Sequence, residues 1–282
     1  MTLPDFDHLP WDGPDRLVFD GVAVEFCVPP ALYERESSDG RFVLGKSPDM
    51  LRSMLRELGG RPPRRIVDLG VFKGGSVVML NEVFRPDAML AVEIDPRGLP
   101  PLDRYLGARG QGRILWARGL DQANRAGLHE GCDRAFGDAP IDLVVDDASH
   151  WYPETLASFT ALFPRVAPGG LYVIEDWGWA HWPDPYWQRD HGGPHFAGRV
   201  PPSNLIVDLA LMVAAAPRVF AHVSIDHAAI YVTRGDGPLP RDFDPHRYQH
   251  NRGQPLPRFA PSVAEKPPAF ESPQFVIRGG GR

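Results

Sequence analysis

Between residues 65 and 176 short apolar runs alternate with helical patterns, and that alternation limits the folds open to the chain. Five short apolar runs lie there, Arg65-Ile66-Val67-Asp68-Leu69-Gly70, Met89–Asp95, Arg113–Ala117, Ile141–Asp147 and Leu171–Asp176, and all but the third end in glycine or in acids. Helical patterns lie around and between them. Ser47-Pro48 supplies an N-cap with proline at the first helical position, Met50, Leu51, Met54, Leu55 and Leu58 follow at helical spacing, and Gly59-Gly60 stops the helix. Val77–Leu80 and roughly Pro153–Phe163 read as further helices. Short apolar strands alternating with helices predict an α/β domain whose parallel sheet is covered on both faces. Past the last run, Ser203-Asn204 can cap a helix over Leu205–Ala215, and Val219–Ser224 with Ala229–Thr233 predict a closing antiparallel pair. The expectation is a doubly wound, mostly parallel sheet of about seven strands.

The flanks read differently. Residues 1–46 are broken by Pro4, Pro10, Pro14, Pro29 and Pro30 and are expected to be irregular, with a short strand pair around Leu17–Val28. Residues 47–235 form the predicted domain. Residues 236–282 are proline-rich and end in Gly-Gly-Gly-Arg, which reads as an extended arm or a partly disordered segment rather than a further domain. Such terminal arms suit contacts with neighbouring subunits, so on composition alone a homo-oligomer is expected. The net charge of −6 argues against a nucleic-acid or anionic-membrane partner, which would favour a basic face. Cys27 and Cys132 are too few for a disulfide scaffold and suit a reducing compartment. The N-terminus carries Asp5, Asp7 and Asp12 and lacks the basic and apolar regions of a signal peptide. The longest apolar run, Leu205–Ala216, is interrupted by Asp208 and too short to span a bilayer. The expected location is the cytoplasm.

Every strand of a parallel sheet points its carboxyl end at one edge, where ligands bind. Gly70, Glu93, Asp147, Glu175 and Asp176 therefore fall along one crevice. The turn Asp68-x-Gly70-x-x-x-Gly74-Gly75-Ser76 departs from a nicotinamide fingerprint, which places its first glycine where Asp68 stands. Glycines there let the backbone approach a ligand, or merely make a tight strand–helix turn. Glu93 is placed to accept hydrogen bonds from ribose hydroxyls; the alternatives are a cap or a solvated carboxylate, with Asp95 as a competitor on the same strand face.

That turn, followed by Ala91-Val92-Glu93-Ile94-Asp95, resembles a class I S-adenosylmethionine-dependent methyltransferase with a Rossmann-like sheet. Val145-Asp146-Asp147-Ala148-Ser149-His150, Pro168–Asp176 and Val223–Val232 resemble, more narrowly, the metal-dependent O-methyltransferases of macrolide sugar tailoring and their cephalosporin-hydroxylase-like relatives. The resemblance covers about residues 60–235. Ala148 departs from the family's usual glycine, a small-for-small change. The resemblance implies a methyl donor on Asp68, Gly70, Gly74, Gly75 and Ser76, its ribose on Glu93, and its adenine near Asp121 and Gln122. There Leu120 is an extra residue relative to the family's Gly-Asp-Gln. It implies Asp147, Glu175 and Asp176 as metal ligands and His150 as the base.

Elementary electrostatics agrees with that ligand set. Three carboxylates at neighbouring strand ends repel and raise one another's pKa unless a cation shares them, and hard oxygens select Mg²⁺ or Mn²⁺ over zinc. The alternative is that one or two of them cap helices or pair with arginines. Asp142 starts its strand, and Asp146 points away from Asp147, so both read as non-ligands, with Asp146 free to orient the methyl donor. A neutral imidazole at His150 suits proton transfer from a hydroxyl, a structural histidine being the alternative, and Trp151 beside it suits packing over an acceptor. Trp177, Trp179, Trp182 and Trp187, four of the seven tryptophans, crowd the stretch 177–200 with His181, Tyr186, His191, His195 and Phe196; Gly192-Gly193 reads as a hinge. The segment is a lid over the acceptor or else a fixed cover or subunit contact. Its histidines match no strong metal-ligand spacing.

The leading expectation is a Mg²⁺-dependent O-methyltransferase acting on a small hydroxylated natural product, a sugar or glycoside among the options. The alternatives are N- or C-methylation or a non-methyl reaction on the same scaffold, and a non-catalytic protein that binds the cofactor or a partner.

Overall fold

In this computed structural model residues 2–110, 112–190, 192–240 and 242–248 are described. Among these described residues ten strands run in chain order: β1 (Arg16–Phe19), β2 (Val22–Phe26), β3 (Arg41–Leu44), β4 (Arg65–Leu69), β5 (Ala88–Glu93), β6 (Ile114–Arg118), β7 (Ile141–Asp146), β8 (Val166–Glu175), β9 (Phe220–Ile225) and β10 (Ala229–Arg234). The helices are α1 (Ala31–Glu34), α2 (Pro48–Glu57), α3 (Gly75–Phe84), α4 (Pro100–Tyr105), α5 (Arg125–Phe136), α6 (Tyr152–Leu162), α7 (Pro185–Gln188) and α8 (Ser203–Ala215). Seven strands form the main sheet in the order β6-β5-β4-β7-β8-β10-β9. β4 to β8 are parallel, and β10 runs antiparallel to both β8 and β9. This is the predicted doubly wound sheet with its antiparallel close.

Period-2 alternation assigns each strand's residues to two cores. Ile66, Met89, Leu143, Val145, Leu171 and Val173 face one apolar cluster, which takes in α2, α3 and the N-terminal strands. Val67, Leu69, Leu90, Val92, Val144 and Tyr172 face the other, under α5, α6 and α8. Both faces are covered, so β4 and β7 read as nearly continuous apolar runs. The helix ends follow local chemistry. Ser47 sits extended before Pro48 in α2, which buries Leu51, Met54 and Leu55 and gives way to Gly59 and Gly60 at φ 58° and 82°. Pro168-Gly169-Gly170, where a turn is the natural reading, lies inside β8, and the β7–β8 register shifts between Ile141 and Leu143 to accommodate it.

The N-terminal 46 residues are not irregular. β1, β2 and β3 form a second sheet in which β1 and β2 are antiparallel and β2 and β3 parallel. Leu17, Val24, Phe26, Phe42 and Leu44 are buried in the same core as Val77 and Val78 of α3. β3 has only four residues, too few for a period to show, and its parallel pairing needs the crossover 27–40, where prolines mask it. At the other end Phe243 packs against Phe159, Phe163 and Phe220. The rest of the expected arm, 249–282, lies outside the described residues.

Gly75 joins the two sheets. A Cβ on it would stand 2.3 Å from the carbonyl oxygen of Val43 in β3. Gly75→Ala is expected to lower stability to urea by about 2 kcal/mol or more, because backbone on both sides must move. Gly107→Ala, where an added Cβ meets open space, is expected to stay within about 0.5 kcal/mol of the parent. Equal midpoints for the two variants would contradict the contact.

Candidate active site

The sheet order reverses between β4 and β7, so the crevice opens at the carboxyl ends of these two strands. A cavity of about 1160 Å³ lies there. Gly70 is positioned by protein packing as much as by any ligand: its φ is 92°, and a Cβ would fall 2.1 Å from the Asp147 carbonyl oxygen. That contact brings the two strand ends side by side. Asp147 N–H donates to the Leu69 carbonyl at 3.0 Å, and Asp176 N–H donates to that of Ala228 at 2.7 Å.

Many of the expected residues share this cavity. Gly70, Gly75, Ser76 and Glu93 line one part of its wall, Asp121 and Gln122 another, and Asp147, His150 and Asp176 a third. Glu93 accepts from the backbone N–H groups of Val71 and Phe72 at 3.1 and 2.8 Å and from that of Asp95 at 3.0 Å, so it shapes the glycine turn from within. Asp95 instead pairs with Arg97 at the surface. Asp121 accepts from the N–H of Ala123. Gln122 receives the N–H of Ser149 and donates to Asp146 at 2.7 Å.

Four expected residues stand behind the wall. Gly74 faces Leu99 and Leu102. Asp146 is buried under hydrogen bonds from Gln122, Ser158 and Tyr172, so its reach toward a donor is through Gln122. Burial pushes its carboxyl up to about 6, although Ser158 and Tyr172 pull the other way. Asp68 is fully buried; Ser76 Oγ donates to its Oδ2 at 2.7 Å, while Oδ1 has no hydrogen-bond partner among the described residues. Glu175 is 2% exposed and lies apart from the cavity wall.

Glu175 is held there by a residue that the strand pattern did not single out. Lys46, between β3 and α2, donates to Asp147 Oδ2 at 2.5 Å and to Glu175 Oε2. Burial pulls the ammonium's pKa down, but the two carboxylates outweigh it and raise it above its ordinary value, so Lys46 stays charged. Nothing local marks Lys46 in the sequence; only its place at the end of a strand pairing parallel to β2 would have done so.

Asp147, His150 and Asp176 offer ligand atoms that all lie within 4.8 Å of one another. His150 Nε2 is 3.8 Å from Asp147 Oδ1. His150 and Asp176 hold φ of 58° and 51°, strained for side-chain-bearing residues, and such strain concentrates at functional sites. Burial, with the charge of Asp147 adding to it, raises the Asp176 carboxyl. Asp142 sits at the far end of its strand, accepting from the N–H groups of Arg64 and Arg65, in agreement with its reading as a non-ligand.

The aromatic segment covers this group. Trp179 donates Nε1–H to the His150 carbonyl at 2.8 Å. Phe196 stacks on His150 at 6.4 Å and packs against Trp179 and Trp187, and His195 packs on Trp151. Trp179, Trp182, Trp187 and Phe196 all line the cavity. His181 binds Ser203 Oγ, and His191 lies outside the described residues.

Residues 67–177 match the methyltransferase domain family. This segment resembles a class I methyltransferase domain. The seven-stranded order and the cavity at its switch point are the architecture of that class. The 8-demethyl-8-alpha-L-rhamnosyl tetracenomycin-C 2'-O-methyltransferase of Streptomyces olivaceus is 36% identical over 110 residues, 39% of this chain and 26% of its own. The mycinamicin VI 2''-O-methyltransferase of Micromonospora griseorubida is 59% identical over 50 residues, 18% of this chain and 12% of its own. The MycE methyltransferase, solved with Mg, SAH and mycinamycin VI, superimposes with a TM-score of 0.50 at 25% identity, covering 70% of this chain and 52% of that one. The chain thus spans about a quarter or less of these two curated relatives and about half of MycE.

Asp68 sets a pH dependence of this methyltransferase fold. Burial, offset only in part by Ser76 and Lys46, lifts its carboxyl from 3.8 to about 7. The folded state keeps a proton that the unfolded chain releases, so stability falls as pH rises from 3.8 to about 7. The stability difference between parent and Asp68→Asn is expected to move against the parent by a few kcal/mol over that window, since each tenfold difference in proton affinity between the two states is worth about 1.4 kcal/mol. Urea unfolding at several pH values measures it; a difference independent of pH would contradict the protonated carboxyl.

Proposed function

We propose that the protein is a Mg²⁺-dependent O-methyltransferase that moves a methyl group from S-adenosylmethionine to a hydroxyl of a small natural product, with a sugar or glycoside as the acceptor class. The single observation that carries the reading is the convergence of Asp147, Asp176 and His150 beside the glycine turn in one cavity. Two carboxylate ligands fit a hard divalent ion, and oxygen-loving Mg²⁺ or Mn²⁺ leaves the imidazole of His150 free for proton transfer. The names of the relatives, O-methyltransferases of glycosylated natural products, support the acceptor class.

Mg²⁺ held by Asp147 and Asp176, with Glu175 beside them as the third expected ligand, would supply Lewis acidity to an acceptor hydroxyl. His150 Nε2, beside Asp147, takes the hydroxyl proton as that oxygen forms its bond to the methyl carbon and the C–S bond breaks, leaving S-adenosylhomocysteine. Gly70, Gly75, Ser76 and Glu93 form the donor's part of the wall, with Gln122 oriented for its adenine by Asp146. Trp179, Trp182, Trp187 and Phe196 present flat apolar faces that suit the C–H face of a sugar or an aglycone and exclude water. Much of the rate then comes from holding the two reactants in line.

No helix among the described residues is long and apolar enough to cross a membrane. A cytoplasmic location is part of the proposal, supported by Cys27 and Cys132, both free and buried. So is a homo-oligomer, supported by the composition of the terminal segments and measurable by sedimentation.

Asp147→Ala and His150→Ala are each expected to lower turnover of a hydroxylated acceptor by about 100-fold or more. Calorimetric titration should show that S-adenosylmethionine still binds both variants. Undiminished turnover by Asp147→Ala at saturating Mg²⁺ would remove the metal from the reaction, and absence of donor binding by the parent would remove the methyl transfer.

A further inference from the structure

At the start of α6 two polar atoms closed to water have no hydrogen-bond partner among the described residues: Trp151 Nε1 and Glu154 Oε2. Both residues line the cavity. An acid at the third position of a helix ordinarily reaches back to the backbone N–H of the cap residue. Trp151 is that cap, and its N–H already donates to Ser149 Oγ at 3.2 Å. Glu154 is thus not needed as a cap. Its position on α6 tells what it faces. Ser158, one turn on and on the same face, lies 3.3 Å from Gln122 Nε2. Side chains lean toward the N-terminus of their helix, so Glu154 stands beyond Ser158 toward the crevice, on the Gln122 side. A carboxylate oxygen closed to water and left unpaired is costly, and a ligand N–H relieves that cost.

On the donor reading above, we infer that Glu154 selects the adenine of the methyl donor, its carboxylate accepting a hydrogen bond from the exocyclic amino group. Gln122 cannot do this work alone. An amide has two N–H groups and two lone pairs. Gln122 gives both N–H groups, to Asp146 at 2.7 Å and to Ser158 at 3.3 Å, and takes the Ser149 N–H on Oε1 at 3.0 Å. One lone pair is left for a ligand. The edge of adenine that carries the amino group sets that donor beside an acceptor, the ring nitrogen N1. Glu154 Oε2 and Trp151 Nε1 are an unpaired acceptor and an unpaired donor three residues apart on one turn, the complement of that edge. The indole serves by its N–H rather than by stacking, because Arg199 already lies 3.8 Å from the ring centroid and His195 packs on the ring at 4.7 Å. Ile94, next to Glu93, and Leu120, next to Asp121, supply apolar wall for a purine.

Calorimetric titration of the full chain with S-adenosylhomocysteine and with S-inosylhomocysteine tests this without any turnover. Inosine carries a carbonyl where adenosine carries the amino group, so a carboxylate that accepts from the amino group must reject it. The parent is expected to bind the adenosine compound about 30-fold or more tightly than the inosine compound, the discrimination of one well-placed polar contact. Glu154→Gln keeps the shape and adds an amide that donates as well as accepts. It is expected to shrink the preference to within about fivefold, chiefly by binding the inosine compound better. Glu154→Ala is expected to weaken S-adenosylhomocysteine by about tenfold, and serves if the glutamine variant does not fold. Equal binding of the two compounds by the parent would overturn the inference. So would a Glu154→Gln variant that keeps the parent's preference, which would leave Glu154 to the acceptor. A parent that binds neither compound would remove the donor reading itself and this inference with it.

Discussion

The buried contact of Lys46 with Asp147 and Glu175 fixes the rest of the site. It joins two sheets that the chain builds separately, one from its first 46 residues and one from β4 to β10. A buried ion pair of this kind adds little net stability over an apolar replacement, but it is highly directional, and losing one partner leaves an uncompensated charge. Here its direction is what matters: the ammonium sets where Glu175 points and which oxygen of Asp147 remains for chemistry.

Around that contact the backbone supplies the geometry. Gly70 lets the end of β4 press against the carbonyl of Asp147, and Gly75 lets α3 press against β3. The left-handed conformations of His150 and Asp176 turn both side chains out of the strand direction just where two strands finish. Such conformations persist only when the surroundings impose them, and the hydrogen bonds from Trp179 to the His150 carbonyl and from Asp176 to that of Ala228 do so. A chain of polar groups runs behind the wall, from Tyr172 and Ser158 through Asp146 to Gln122, and orients a cavity residue from buried atoms whose bonding is complete.

The main sheet was legible because apolar runs ending in acids carry their own register. Residues at the ends of parallel strands must meet at one edge, which placed Gly70, Glu93, Asp147, Glu175 and Asp176 together from topology alone, while His150 came with the family resemblance. Glu175 was legible as a strand-end acid, but its partner was not. Lys46 lies beyond a four-residue strand whose pairing is parallel and long-range, and neither property leaves a periodic trace. For the same reason the N-terminal segment read as irregular although Leu17, Val24 and Phe42 are core residues. Asp68, Gly74 and Asp146 belong to the right motifs yet serve from behind the cavity. Motif spacing tells which turn a residue occupies, while burial and hydrogen-bond partners decide whether it faces a ligand.

The position of the divalent ion decides the chemistry of the site. Anomalous diffraction at the manganese edge, from crystals grown with Mn²⁺ and S-adenosylhomocysteine, measures that position directly. The predicted result is one peak at the carboxylates of Asp147 and Asp176, beside His150. An empty cavity, or a peak elsewhere, would contradict it.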